Sequence, residues 1–241
     1  MADIAETEII YDLDGFVTLE SVNSSTPYRI QLEKNCVGNR HVDTQLVISS
    51  PTGILREIIS PSIGPMIPDG EKLYLADVDG DCVHEIILQE DLGGNGGYGA
   101  FRCRVFEVES NMLTTLFDTG NSSDMDTGFY WKIHDNYKLV VHNRITGNSW
   151  EMNASDYMKS RYFDEAGTAV DSAIYPLDID SFYEIYPKDV DGDGIHELCT
   201  TQYTFSGGHT EGIGDAKCVF KYDKASGSFQ IIETDFVQYT E

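Results

Sequence analysis

The same acid-loaded nonapeptide stands twice in this chain, DVDGDCVHE at 77–85 and DVDGDGIHE at 189–197, and each copy carries four carboxylates. If such a loop closes on itself, each pair of acids held at ~4 Å costs about 4 kcal/mol at an effective dielectric of ~20, less where water screens it. Summed over the pairs, and even heavily discounted, this rivals the ~5–15 kcal/mol that holds a whole domain together. A closed loop of this composition therefore needs a multivalent cation, and the chain carries two such loops.

The flanking sequence reads as β-structure. EKLYLAD precedes the first loop and EIILQED follows it, and FRCRVFEVE and MLTTLFDT come next. The second copy repeats the order with FYEIYPKD, ELCTTQYTF, AKCVFKYD and SFQIIETD. These short runs are rich in β-branched and aromatic residues and are bounded by Gly, Asn, Asp and Ser. Each copy predicts one four-stranded antiparallel unit, with the acidic loop joining its first two strands and a glycine-rich loop joining the second and third. Between the copies, YWKIHDNYKLVVHN at 130–143 repeats the strand–loop–strand pattern with the loop cut to a tight turn at Asp135. Near the start, IIYDLDGFVTLE offers a degenerate fourth copy with Asp12, Asp14 and Glu20. Four units at a period near sixty predict an all-β, β-propeller-like array of blade-like sheets. The expected array is one domain over 1–241, with repeats at approximately 7–65, 66–120, 125–175 and 180–241. A β-sandwich of similar strands is the alternative. ASDYMKSRYF at 154–163 reads as a short helix with Ser155 as its N-cap.

Hard oxygen ligands, several carboxylates and a glycine-containing turn suit Ca²⁺, which takes 6–8 oxygens, better than zinc or Mg²⁺. The expected ligands of the first ion are the side chains of Asp77, Asp79 and Asp81, the carbonyl of Val83, and Glu85. Those of the second are Asp189, Asp191, Asp193, the carbonyl of Ile195, and Glu197. This reading treats the loops as two Ca²⁺ sites. Neither loop is an EF-hand, because the twelfth position holds Leu88 or Thr200 and the flanks are not helical.

An acid at position nine followed by β-structure resembles the FG-GAP/VCBS calcium loops of integrin-α-like β-propellers, above all in DVDGDCVHEIIL and DVDGDGIHEL. The resemblance implies a propeller-like, calcium-stabilised, extracytoplasmic module. Position six departs from the pattern: it is glycine at Gly194 but Cys82 in the first loop, which predicts local strain there.

Composition narrows the function classes. With 16 Lys and Arg against 41 Asp and Glu, the formal charge of −25 repels phosphate backbones and anionic lipid. Nucleic acid is therefore excluded as a partner, and no apolar run reaches the ~20 residues of a membrane span. The N-terminal residues show no signal peptide, so a secreted or cell-surface location requires one removed upstream, and a cytoplasmic one stays open. Five scattered cysteines do not make a disulfide scaffold, although Cys199 and Cys218 could face each other on neighbouring strands. GNGGYG at 94–99 satisfies GxGxxG, but a strand pattern follows it where a dinucleotide site needs a helix. His84 and His196 at position eight point away from the acid at nine and belong to no HExxH motif. No GxSxG or P-loop occurs, and among 41 acids a pair at catalytic distance arises by chance. The expectation is a non-enzymatic calcium-binding module, secreted or at the cell surface, for protein or glycan binding. The alternative is a secreted polysaccharide-acting enzyme with structural calcium.

Overall fold

The computed structural model describes residues 17–20, 29–37, 40–50, 53–61, 72–91, 101–109, 112–120, 125–170, 174–175 and 178–239. Among them strands dominate, in three antiparallel sheets with one short helix. The first sheet is a meander of β1 (Val17–Glu20), β2 (Arg29–Val37), β3 (Arg40–Ser50) and β4 (Gly53–Pro61). The second contains β9 (Phe129–His134), β10 (Lys138–Asn143), β11 (Ser149–Asn153) and β12 (Ile174–Tyr175), in the order β11-β10-β9-β12.

The two acid-loop units build the third sheet. One unit is β5 (Lys72–Ala76), β6 (Glu85–Asp91), β7 (Phe101–Glu109) and β8 (Met112–Asp118). The other is β13 (Asp178–Lys188), β14 (Glu197–Phe205), β15 (Gly212–Asp223) and β16 (Ser228–Gln238). Each is the expected four-stranded antiparallel unit. They are not separate blades. The outer edge of β7 is divided: Arg104–Glu109 pairs with β8, while Phe101 pairs with Phe182 of β13. Register shifts on both sides of Phe182 mark bulges in β13 that bend it onto this edge. The units therefore merge into one eight-stranded sheet, and the expected propeller ring is not formed among the described residues. A layered, sandwich-like packing replaces it.

Burial explains the layering. Ile86, Ile87 and Leu88 are consecutive in β6 and all fully buried, which requires cover on both faces of the sheet. On one face Ile86 and Leu88 join Leu73 and Phe106 against Ile30, Leu32, Leu46 and Ile48 of the first sheet. On the other, Ile87 and Val105 join Trp131, Leu139, Val141, Phe182, Leu198 and Phe220 in a core shared by the second and third sheets. Phe117 of β8 lies 5.5 Å, ring to ring, from Phe220 and 4.9 Å from Phe229, closing one unit on the other. Polar ties fix the second sheet. Thr127 donates to the Gln202 side chain at 2.9 Å, and Asn148 donates to the Thr234 carbonyl at 3.1 Å.

Helix α1 (Asp156–Tyr162) occupies the expected segment, and the Ser155 hydroxyl accepts from the Met158 amide at 3.3 Å. The expected tight turn between β9 and β10 is also present, with Asn136 and Tyr137 both at positive φ. There the Asp135 carboxylate accepts from the Ala169 amide at 3.0 Å. The degenerate copy at Asp12 and Asp14, and the GNGGYG loop, lie outside the described residues. No helix among the described residues is long and apolar enough to cross a membrane.

Candidate metal centre

The two nonapeptides fold alike, hydrogen bond for hydrogen bond. In the first, Asp77 accepts from the Gly80 amide at 2.6 Å through one oxygen and from the Cys82 amide at 2.9 Å through the other. Asp79 Oδ1 accepts from the Asp81 amide, Asp81 Oδ1 from the Val83 amide, and Glu85 Oε2 from the Val78 amide, at 3.0, 2.7 and 2.8 Å. In the second, Asp189 accepts from Gly192 and Gly194, Asp191 Oδ1 from Asp193, Asp193 Oδ1 from Ile195, and Glu197 Oε2 from Val190. Aspartate at alternate positions suits this turn, since each side chain receives an amide further along its own backbone. The glutamate at position nine begins the next strand and is buried in both copies, 1% exposed at Glu85 and fully buried at Glu197.

This network leaves a matching set of oxygens in each loop. Oxygens of Asp77, Asp79 and Glu85 lie within 4.8 Å of one another, as do oxygens of Asp79, Asp81 and Glu107. In the second loop the equivalent cluster is Asp189, Asp191 and Glu197. There a cationic side chain enters. Lys221 Nζ stands 2.7 Å from Asp191 Oδ2, 3.0 Å from Asp193 Oδ2 and 2.8 Å from Glu197 Oε1. Hydrogen bonds to Asp191, Glu197 and Asp193 hold its ammonium well above the ordinary lysine range. The Ile195 amide first, and then Lys221, hold the Asp193 carboxyl below its usual value.

In the first loop no ion pair reaches Asp77, Asp79, Asp81 or Glu85 among the described residues. The position matching Lys221 holds Glu107, because Ile86 pairs with Phe106 as Leu198 pairs with Phe220. Burial, reinforced by the neighbouring aspartates, pushes the Glu85 carboxyl up to about 8. Burial also raises Asp79.

The loops touch. The His196 amide donates to the Asp77 carbonyl at 2.8 Å. Lys224, in the β15–β16 turn, donates to the Gly80 carbonyl at 3.1 Å. A Cβ on Gly80 would come within 2.5 Å of Ile195 Cδ1. The first loop is consequently the more enclosed: Val78 is 1% exposed, whereas its counterpart Val190 is 38% exposed.

Of the residues expected as ligands, Asp77, Asp79, Asp81, Glu85, Asp189, Asp191 and Glu197 lie in these clusters and Asp193 joins the second through Lys221, whereas Val83 and Ile195 meet Asp81 and Asp193 through their amides rather than their carbonyls. Sequence reasoning missed Lys221 and Glu107. Their signal was available in VFE at 105–107 against VFK at 219–221, the same register of the repeat with opposite charge. Cys82 has φ +67°, matching +87° at Gly194, as the departure at position six implied. A left-handed residue with a Cβ costs about 1–2 kcal/mol, partly offset by glycine's unfolded-state entropy. Cys82→Gly should thus raise stability by roughly 0.5–1 kcal/mol in urea denaturation.

His196 is half-buried, with its Nδ1 enclosed and without a hydrogen bond. Cys199 and Cys218 do not face each other: Cys199 pairs with Val219 and Cys218 with Thr200, so the two thiols lie on opposite faces of the sheet. Both are free. A cavity of about 520 Å³ lies between helix α1 and the start of β15, lined in part by Asp156, Met158, Lys159, Glu211 and Tyr239. Its Asp156 accepts from Lys159 at 2.8 Å, which holds that carboxyl below the usual range.

Residues 128–237, the second sheet and the second acid-loop unit, match the family model described as the YybI C-terminal domain. No VCBS or FG-GAP family model matches, so that resemblance is withdrawn. Nine residues that close an acid loop between strands report shared chemistry rather than shared descent. The chain is 22% identical over 154 residues to the uncharacterized protein YybI of Bacillus subtilis (strain 168), across 63% of this chain. It spans 57% of that relative's length. No solved structure matches at a significant level. The chain is thus similar to the YybI C-terminal domain over residues 128–237 and weakly similar to YybI over 154 residues.

Proposed function

We propose that this is a non-enzymatic β-module whose acidic loop chemistry serves to bind Ca²⁺ in a structural role. The carrying observation is the first loop. Asp79, Asp81 and Glu85 each give one oxygen to a backbone amide, and no ion pair compensates these acids among the described residues. The donor set fits the ion. Asp77, Asp79, Asp81 and Glu85 would hold it, with Glu107 beside them and the Val83 carbonyl within the same turn, and all are hard oxygens. When bound, the ion supplies the positive charge that a buried, like-charged cluster lacks.

Because the second loop, through His196 and Ile195, and the β15–β16 turn, through Lys224, pack against the first loop, an ion in the first loop would stiffen the junction between the two units. Affinities of such extracellular modules lie at about 10⁻⁴–10⁻³ M. Sites of that strength would fill outside the cytoplasm, so this reading goes with a secreted or cell-surface location. The exposed Val83 and Val190 at the loop tips offer contact area to a protein or glycan partner.

Equilibrium dialysis of chelator-stripped protein against calcium tests the proposal. Binding with a Kd of about 10⁻⁴–10⁻³ M is expected. It should vanish in the double variant Asp79→Asn, Asp81→Asn. Absence of binding up to about 10 mM, ten times the weak end of that range, sinks the reading.

A further inference from the structure

The two loops share one backbone design, yet their surroundings carry opposite charge at one place. Resting on the reading above that these loops are cation cages, we propose that Lys221 is the resident cation of the second cage. The protein then takes up one divalent ion, at the first loop, and not two.

The geometry carries this through matching atoms. Asp191 Oδ1, Asp193 Oδ1 and Glu197 Oε2 are engaged by backbone amides. Their partner oxygens, Asp191 Oδ2, Asp193 Oδ2 and Glu197 Oε1, all meet the Lys221 ammonium at 2.7–3.0 Å. Glu197 is fully buried, and its Oε1 accepts no other hydrogen bond, so the contact with Lys221 is its compensation. In the first loop the corresponding Oδ1, Oδ1 and Oε2 atoms of Asp79, Asp81 and Glu85 are engaged by the same amides. The three oxygens that would correspond to the lysine's ligands belong to those residues, and Glu107 replaces the lysine.

One ammonium carries a single charge and three donors, and a divalent ion of 6–8 ligands must displace it to enter. Displacement would leave Lys221, 28% exposed in its side chain, beside an ion of like charge. At the first loop the nearest ammonium, that of Lys224, is held by the Gly80 carbonyl and pairs with none of the acids, and Glu107 adds a carboxylate where the second loop has its lysine. The charge difference between the two cages at this one position is two units, which is enough to separate their affinities for the same ion.

A reciprocal swap tests the assignment by dialysis stoichiometry, with terbium luminescence as a second readout. Wild type should bind one calcium per chain. Lys221→Glu should bind two, the second with a Kd within about tenfold of the first, because both cages then carry the same acids. Lys221→Gln, which keeps the length of a neutral side chain, should also gain the second ion if the glutamate variant fails to fold. Glu107→Lys should bind none. Two ions in wild type, or one in both Lys221 variants, would overturn the assignment while the calcium reading stands. No ion in wild type but one in Lys221→Glu would uphold the role of Lys221 and overturn calcium at the first loop. No ion in any variant would overturn both.

Discussion

Calcium at about 10 mM should add about 2.7 kcal/mol to the unfolding free energy of the chelator-stripped protein, as a site of Kd about 10⁻⁴ M gives at hundredfold excess. In a chain of this size each kcal/mol moves Tm by roughly 2–4 °C, so scanning calorimetry should register a rise of about 5–10 °C. The cause is local. Without a divalent ion, Asp77, Asp79 and Asp81 repel one another, and burial together with those aspartates opposes the ionisation of Glu85, which is 1% exposed. The double variant Asp79→Asn, Asp81→Asn removes two of those charges. It should melt at or above wild type in chelator, and calcium should not shift it. Magnesium should give a smaller rise, because it dehydrates reluctantly and demands a tighter octahedron. A calcium-induced rise that survives in the double variant would place the ion elsewhere.

The second large effect concerns the seam between the two units. Phe182→Ala is expected to cost about 3–5 kcal/mol, the range for emptying a fully buried aromatic site. Phe182 is fully buried, pairs with Phe101 across the β7–β13 junction, and lies 6.3 Å from Phe220, ring to ring, in a T-shaped contact. Truncating it opens a hole where the first unit, the second unit and the second sheet share one core. Urea denaturation gives the measurement. As a control, Ile232→Ala, at a position 48% exposed, should change stability by less than about 0.5 kcal/mol. A loss below about 1 kcal/mol at Phe182 would mean that this seam contributes little to joining the units.

Much of the local structure was legible in the sequence. The eight strands around the acidic loops follow from β-branched and aromatic runs bounded by turn residues, and all eight are present. The Ser155 cap and the tight turn at Asp135 were legible too, because both depend on residues within a few positions of each other. The strain at Cys82 followed from one substitution for glycine, and φ +67° agrees. The assembly of those strands was not legible. The same four-stranded unit can stack as a blade or share an edge, and its alternation pattern is identical in both cases. The share went to β13 because bulges beside Phe182 turn that strand onto β7, and a bulge leaves little trace in composition. The likeness to FG-GAP loops failed for a related reason: it rested on two short loops and the strands beside them, and the loop spacing is dictated by amide-to-aspartate hydrogen bonds.

By itself the sequence determined the strands, the turn geometry of both nonapeptides and the convergence of their acids, since each depends on contacts within one short segment. Only the tertiary structure decided that the two loops lie against each other and that a lysine from β15 reaches one cage while a glutamate from β7 stands at the other. That decision rests on strand register, which sets the partner of each loop from residues 22–30 positions away, beyond the reach of any local pattern.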